Sequence, residues 1–164
     1  MFYTKKKISL LVLTALLALS NFSAFAIANT TPPVNTSYEQ RVFELVNVER
    51  QKNGMPALYF DQDVSSVART KSADMAVNNY FAHNSPTYGM AGDMLLMFGI
   101  TWSAWGENIA SGQDTPEEVV NAWMNSPSHR ENILSSNFTF IGVGYYVDSS
   151  GTPYWTQMFT GDDK

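Results

Sequence analysis

The chain has two histidines, His83 and His129, and between them lies Glu107 in the segment Gly106-Glu107-Asn108-Ile109-Ala110. Each histidine stands beside a turn-forming pair, Ser85-Pro86 in one case and Pro127-Ser128 in the other. Imidazole is the side chain most used as a metal ligand or as a proton carrier near neutral pH, which makes these residues the candidate centre of chemistry. A blander role is open to each: Glu107 can accept backbone N–H groups and pin loops, and the histidines can anchor loops through hydrogen bonds. Covalent catalysis would need a nucleophile with an adjacent base. Ser85, Ser126 and Ser128 lie near a histidine in sequence, but in Ser-Pro and Pro-Ser contexts they read as turn and cap residues. The chain has no Gly-x-Ser-x-Gly elbow, no His-Glu-x-x-His helix and no cysteine.

The elements that must position these groups follow from periodicity. A helix is predicted over 38–52, with Val42, Leu45, Val46 and Glu49 on one face and Asn53-Gly54 as its stop. A second is predicted over 61–79, capped by Asp61 or Asp63. Its buried stripe is Val64, Val67, Ala68, Met75 and Ala76, and Arg69, Lys71 and Asp74 face outward. The loop Phe81-Ala82-His83-Asn84-Ser85-Pro86 follows. A short helix over 90–99 has Met90, Met94 and Met97 as core filler. Glu107 falls in an extended segment over 101–110. Thr115-Pro116-Glu117-Glu118 opens another helix as N-cap, first-turn proline and capping-box glutamate. It runs through Val119, Val120 and Trp123, and a short turn then carries His129 to Leu134. Residues 138–147 alternate, with Ile141, Val143, Tyr145 and Val147 on one face; Asp148-Ser149-Ser150-Gly151 reads as a hairpin loop and 154–160 as the returning strand. Helices followed by a terminal antiparallel hairpin define an α+β domain with a sheet covered by helices.

The N-terminus has the form of a secretory signal peptide: Lys5, Lys6 and Lys7, an apolar run from Ile8 to Leu19, then Ala24-Phe25-Ala26 and Ala26-Ile27-Ala28. The run is shorter than the ~20 residues of a membrane-spanning helix. The expected organisation is a signal peptide at 1–26, with cleavage after Ala26 or Ala28, a flexible leader at 27–37 and one domain at 38–164. The product would be secreted, extracellular and without an integral membrane anchor. Cleavage removes three of ten basic residues and leaves seven against fifteen acidic ones, a net charge of −8. That balance disfavours nucleic acid and anionic lipid, and it suits divalent cations or simple solubility. Without cysteine the exported domain is disulfide-free and depends on packing, for which its four tryptophans are large contributors.

Several motifs in this order resemble the CAP superfamily, the cysteine-rich secretory, antigen 5 and pathogenesis-related proteins, and in particular its bacterial secreted branch with SCP-like domains. They are Phe81 to Pro86, Gly106 to Ala110, the run from Ala122-Trp123-Met124-Asn125-Ser126-Pro127-Ser128-His129 to Leu134, Gly142-Val143-Gly144-Tyr145, and Tyr154-Trp155-Thr156-Gln157-Met158-Phe159. The resemblance implies an α-β-α sandwich with a central antiparallel sheet flanked by helices. It also implies a cleft where two histidines and two acidic residues meet, in some members around a divalent metal. Three of the four positions match as His83, Glu107 and His129. Where eukaryotic members have Trp-Tyr-x-Glu, this chain has Trp123-Met124-Asn125-Ser126, and Ser126 is a poor ligand for zinc. Glu131, two residues beyond His129, should point elsewhere.

Two functions follow as expectations. One is an extracellular binding module whose cleft, built from His83, Glu107, His129 and Ser126, takes a lipid, sterol, peptide or cell-wall component. It could alternatively hold zinc or another divalent cation weakly through His83, His129 and Glu107. The other is a metal-dependent peptidase or other hydrolase at the bacterial cell envelope, with Glu107 as base to a bound water. Inferring activity from a fold is analogy, and the binding module is the favoured expectation.

Overall fold

The computed structural model describes residues 36–162, so the expected signal peptide at 1–26 and most of the leader lie outside the described residues. Helix α1 (Thr36–Lys52) takes in Thr36 and Ser37, which the sequence pattern assigns to the leader. Its buried face is Glu39, Val42, Val46 and Arg50, and Glu49 lies to the side and pairs with Lys52 at 2.7 Å. Two charged residues therefore close the apolar stripe at its ends. Glu39 takes the guanidinium of Arg69 through Nε at 2.8 and 3.0 Å and through Nη2 at 2.8 Å. Arg50 donates to three main-chain carbonyls: Pro56 at 2.7 Å, Ile133 at 2.8 Å and Ser135 at 2.8 Å.

Strand β1 (Tyr59–Phe60) leads directly into α2 (Gln62–Val77), where the Asp61 carboxylate accepts from the N–H groups of Asp63 and Val64. Helix α3 (Ala91–Met97) is short, and of the three methionines expected as filler only Met94 is buried. Met97 is 64% exposed and Met90 38%, because α3 covers the sheet with one face only. After β2 (Trp105–Ser111) come α4 (Pro116–Met124), opened by the Thr115–Glu118 capping box, and α5 (Pro127–Leu134). The terminal hairpin is β3 (Phe140–Val147) with β4 (Pro153–Thr160).

The four strands form one sheet in the order β1-β3-β4-β2. The β3–β4 and β4–β2 pairs are antiparallel, as expected, but β1 joins β3 in parallel, so the sheet is mixed. Two residues are too few to show a strand period, and β1 escapes the sequence reading for that reason. One face of the sheet buries Ile141, Val143, Trp155 and Phe159 against Val42, Val46, Trp123 and Ile133 of α1, α4 and α5. The other buries Met158 against Val64, Val67 and Ala68 of α2 and Met94 and Leu95 of α3. This is the α-β-α sandwich. Layer spacing on the α2 side is set by Gly142 and Gly144, which alternate on β3 directly under the helix. A Cβ at Gly142 would meet the backbone at Val64 and Ser65, and one at Gly144 the backbone at Ala68 and Arg69.

Candidate functional site

Strand β2 is an edge strand, and its neighbours Glu107 and Asn108 direct their side chains to opposite faces, as the strand period requires. Glu107 meets the loop after α2: His83 Nδ1 lies 2.6 Å from Glu107 Oε2. The carboxylate is almost wholly buried, its side chain 2% exposed, whereas the imidazole is 49% exposed. Asn108 turns toward α5. Its amide donates to the main-chain oxygen of His129 at 3.1 Å and to Gln157 Oε1 at 3.0 Å. Asn132 donates to the Glu107 carbonyl at 3.0 Å and to Asn108 Oδ1 at 2.9 Å. These amides lock α5, and with it His129, to the strand that carries Glu107.

The His83 loop has its own anchors, and they correct the expected helix face. Lys71 and Asp74, predicted to face outward from α2, are buried, because the loop that follows folds back over that side of the helix. Asp74 accepts from Asn78 Nδ2 at 2.7 Å, Ser85 Oγ at 2.6 Å, Thr87 Oγ1 at 3.0 Å and the Tyr80 hydroxyl. Ser85 Oγ in turn accepts from the N–H groups of Thr87 at 3.0 Å and Tyr88 at 2.9 Å, so this serine is a turn residue and not a nucleophile in waiting. Lys71 Nζ donates to the His83 carbonyl at 2.8 Å and lies 3.3 Å from the Tyr80 hydroxyl.

Burial alone would raise the Asp74 carboxyl, yet hydrogen bonds from Ser85, Tyr80, Thr87 and Asn78 hold it below the usual carboxylate range. A lowered folded-state pKa adds stability above the unfolded value of about 3.9, and that stability is lost as pH falls through the folded value. Asp74→Asn is accordingly expected to flatten the acid limb of the stability curve below about pH 4. Urea midpoints measured across that range check this, and an unchanged acid limb would refute it.

His129 sits in the first turns of α5, half-buried. Burial, and then the charge of His83, push its imidazole below the ordinary range, so the two rings lie within each other's electrostatic reach. The buried side-chain atoms without a hydrogen-bond partner among the described residues include Glu107 Oε1, His129 Nδ1 and Gln157 Nε2. Ser126 is the N-cap of α5 and makes no side-chain cap bond. Its N–H donates to the Trp123 carbonyl at 3.1 Å and its carbonyl accepts from Arg130 at 2.9 Å, so its backbone joins α4 to α5. Glu131 is exposed.

Glu107 Oε2 is engaged by His83 Nδ1, and among the described residues no group of three or more His, Asp or Glu side chains is arranged to hold a metal ion. Lys71, Asp74, Asn108, Asn132 and Gln157 shape the site, yet sequence reasoning does not single them out. Asn108 and Asn132 stand in the motifs Gly-Glu-Asn and His-Arg-Glu-Asn, where the neighbouring ionisable residues draw the attention.

An α-β-α sandwich with an edge-strand glutamate paired to a loop histidine and a second histidine on the flanking helix defines a class. The model of the CAP family, described as the cysteine-rich secretory protein family, matches residues 43–159, and the chain belongs to this family. It is 55% identical to the YkwD protein of Bacillus subtilis over 136 residues, covering 81% of this chain and 52% of that protein. It is 39% identical to the B. subtilis membrane protein YlbC over 126 residues, covering 77% of this chain and 35% of that one. The chain thus spans about half or less of the curated relatives it matches. Among solved structures, an extracellular SCP-domain protein from Bacillus anthracis is 37% identical with a TM-score of 0.73, over 77% of this chain and 41% of that one. An outer surface protein from Borrelia burgdorferi, 21% identical over 76% of this chain and 92% of its own, shares the fold with a TM-score of 0.70. Among the described residues no helix is long and apolar enough to cross a membrane.

Proposed function

We propose that this CAP domain is secreted and acts outside a bacterial cell as a binding module, with His83, Glu107 and His129 as its ligand site. The observation that carries the reading is the exposed His83 imidazole held at 2.6 Å on the buried Glu107 carboxylate, whose Oε1 has no hydrogen-bond partner among the described residues. A buried carboxylate oxygen without a donor is costly, and a ligand bearing N–H or O–H groups relieves that cost. Peptide amides and sugar hydroxyls supply such donors. A sterol or acyl chain laid over Glu107 would leave the oxygen unpaired, so among the expected ligands a peptide or cell-wall fragment is favoured. The divalent metal is a proposal of lower rank, since it requires Glu107 to leave His83.

The test is calorimetric titration of the purified protein with soluble peptidoglycan fragments, and separately with zinc alone. A hydrogen bond to a charged group is worth about 1.5–3 kcal/mol, so Glu107→Gln should weaken fragment binding by roughly ten- to hundredfold. Unchanged affinity in Glu107→Gln would overturn the site. One-to-one zinc binding lost in His83→Ala would establish the metal instead. Zinc-dependent hydrolysis of the fragments, lost in His129→Ala, would establish the hydrolase reading.

A further inference from the structure

We infer that Lys71 is a positioning residue of this site: its buried ammonium holds the main chain of His83 so that the imidazole meets Glu107, and it supplies the positive charge that a buried carboxylate needs. Lysine normally keeps its ammonium in water, and one fully buried in mid-helix requires a reason. Here the acceptors are the His83 carbonyl at 2.8 Å and the Tyr80 hydroxyl at 3.3 Å, with the ammonium 5.1 Å from the centre of the Tyr80 ring. Neither acceptor is charged. The negative charges that attract it are Glu107 and Asp74, which partly offset the burial that pushes its pKa down.

The two anchors of the loop have separate tasks. Asp74 binds the side chains of Asn78, Tyr80, Ser85 and Thr87, and so fixes the loop on either side of His83. Among the described residues the hydrogen bond to the His83 carbonyl comes from Lys71. With the main chain fixed, Nδ1 is presented to Glu107; without it, a half-exposed ring is tied by one contact only. In the neutral imidazole, a carboxylate on Nδ1 places the proton there and leaves Nε2 as the bare nitrogen. Lys71 thus acts on the ligand site through the tautomer of His83.

This inference rests on the reading of His83 and Glu107 as a ligand site, but its test requires no ligand. With two histidines in the chain, long-range nitrogen–proton correlation spectra of the full chain at mildly alkaline pH report each ring's tautomer. The wild type should show His83 as the Nδ1–H form. In Lys71→Met the ring should revert to the mixture of an exposed imidazole, while the His129 signals stay in place. Thr87→Val, which removes one bond of Asp74 and leaves Lys71 intact, should keep the wild-type tautomer. An unchanged tautomer in Lys71→Met overturns the inference, and so does an equal shift in Thr87→Val. Should Lys71→Met fail to fold, the through-bond coupling between Lys71 Nζ and the His83 carbonyl carbon in the wild type decides: its presence supports the inference and its absence overturns it. Failure of fragment binding with these signatures intact would remove the ligand reading alone.

Discussion

Arg50→Met is expected to lower stability by about 3–5 kcal/mol, a large share of the 5–15 kcal/mol typical of a domain. The guanidinium is fully buried and joins the end of α1 to Pro56 and to the Ile133 and Ser135 carbonyls at the end of α5. Methionine retains much of the apolar stem but leaves three carbonyls without their donor, at about 1–3 kcal/mol each. Relief of the cation's own desolvation, which pushes the Arg50 pKa down, offsets part of the loss. The end of a helix also favours a cation, and that contribution goes too. Arg50→Lys should recover little, since a compact ammonium cannot reproduce the planar fork. Urea unfolding followed by tryptophan fluorescence reads the midpoint, and a loss under about 1 kcal/mol would show that water replaces the arginine at no great cost.

Gly144→Ala is expected to cost at least about 3 kcal/mol, at the upper end of overpacking, because the added methyl meets backbone and not a side chain that can swing aside. Helix α2 would have to lift from the sheet, and Lys71 and Asp74 would move with it. Gly142→Ala should behave alike, as its Cβ would meet the backbone at Val64 and Ser65. Gly112→Ala makes the contrast: its φ is +92° in open space, so strain at a positive φ is the whole cost, about 1 kcal/mol. Thermal unfolding of the three variants checks the ranking. Equal losses at Gly144 and Gly112 would mean that the close approach of α2 is soft.

The helices were legible where a local rule decides them. Asp61 and Thr115 are caps by side-chain chemistry alone, and the alternation along β3 named the two faces of the sheet correctly. The motifs around His83, Glu107 and His129 carried the family and its sandwich. What sequence could not show was long-range: a two-residue parallel strand has no period, and Lys71 and Asp74 are buried by a loop whose path periodicity does not encode. The same holds at the site. Residue type marked the ionisable groups, but the amides of Asn108, Asn132 and Gln157 that connect strand to helix are visible only once β2 and α5 are side by side.

Both margins of the sheet are occupied by side chains. Beyond the short β1, the Val143 and Tyr145 N–H groups donate to Ser65 Oγ and Glu39 Oε1. On β2, the Glu107 and Ile109 carbonyls accept from Asn132 Nδ2 and Trp123 Nε1. A bare strand margin is a template for adding another chain, and the usual remedy is charge, proline or a bulge. Here Asn132, which ties the Glu107 strand to α5, performs that task as well. A substitution at Asn132 would therefore do two kinds of harm at once, loosening the Glu107 strand and opening it to self-association.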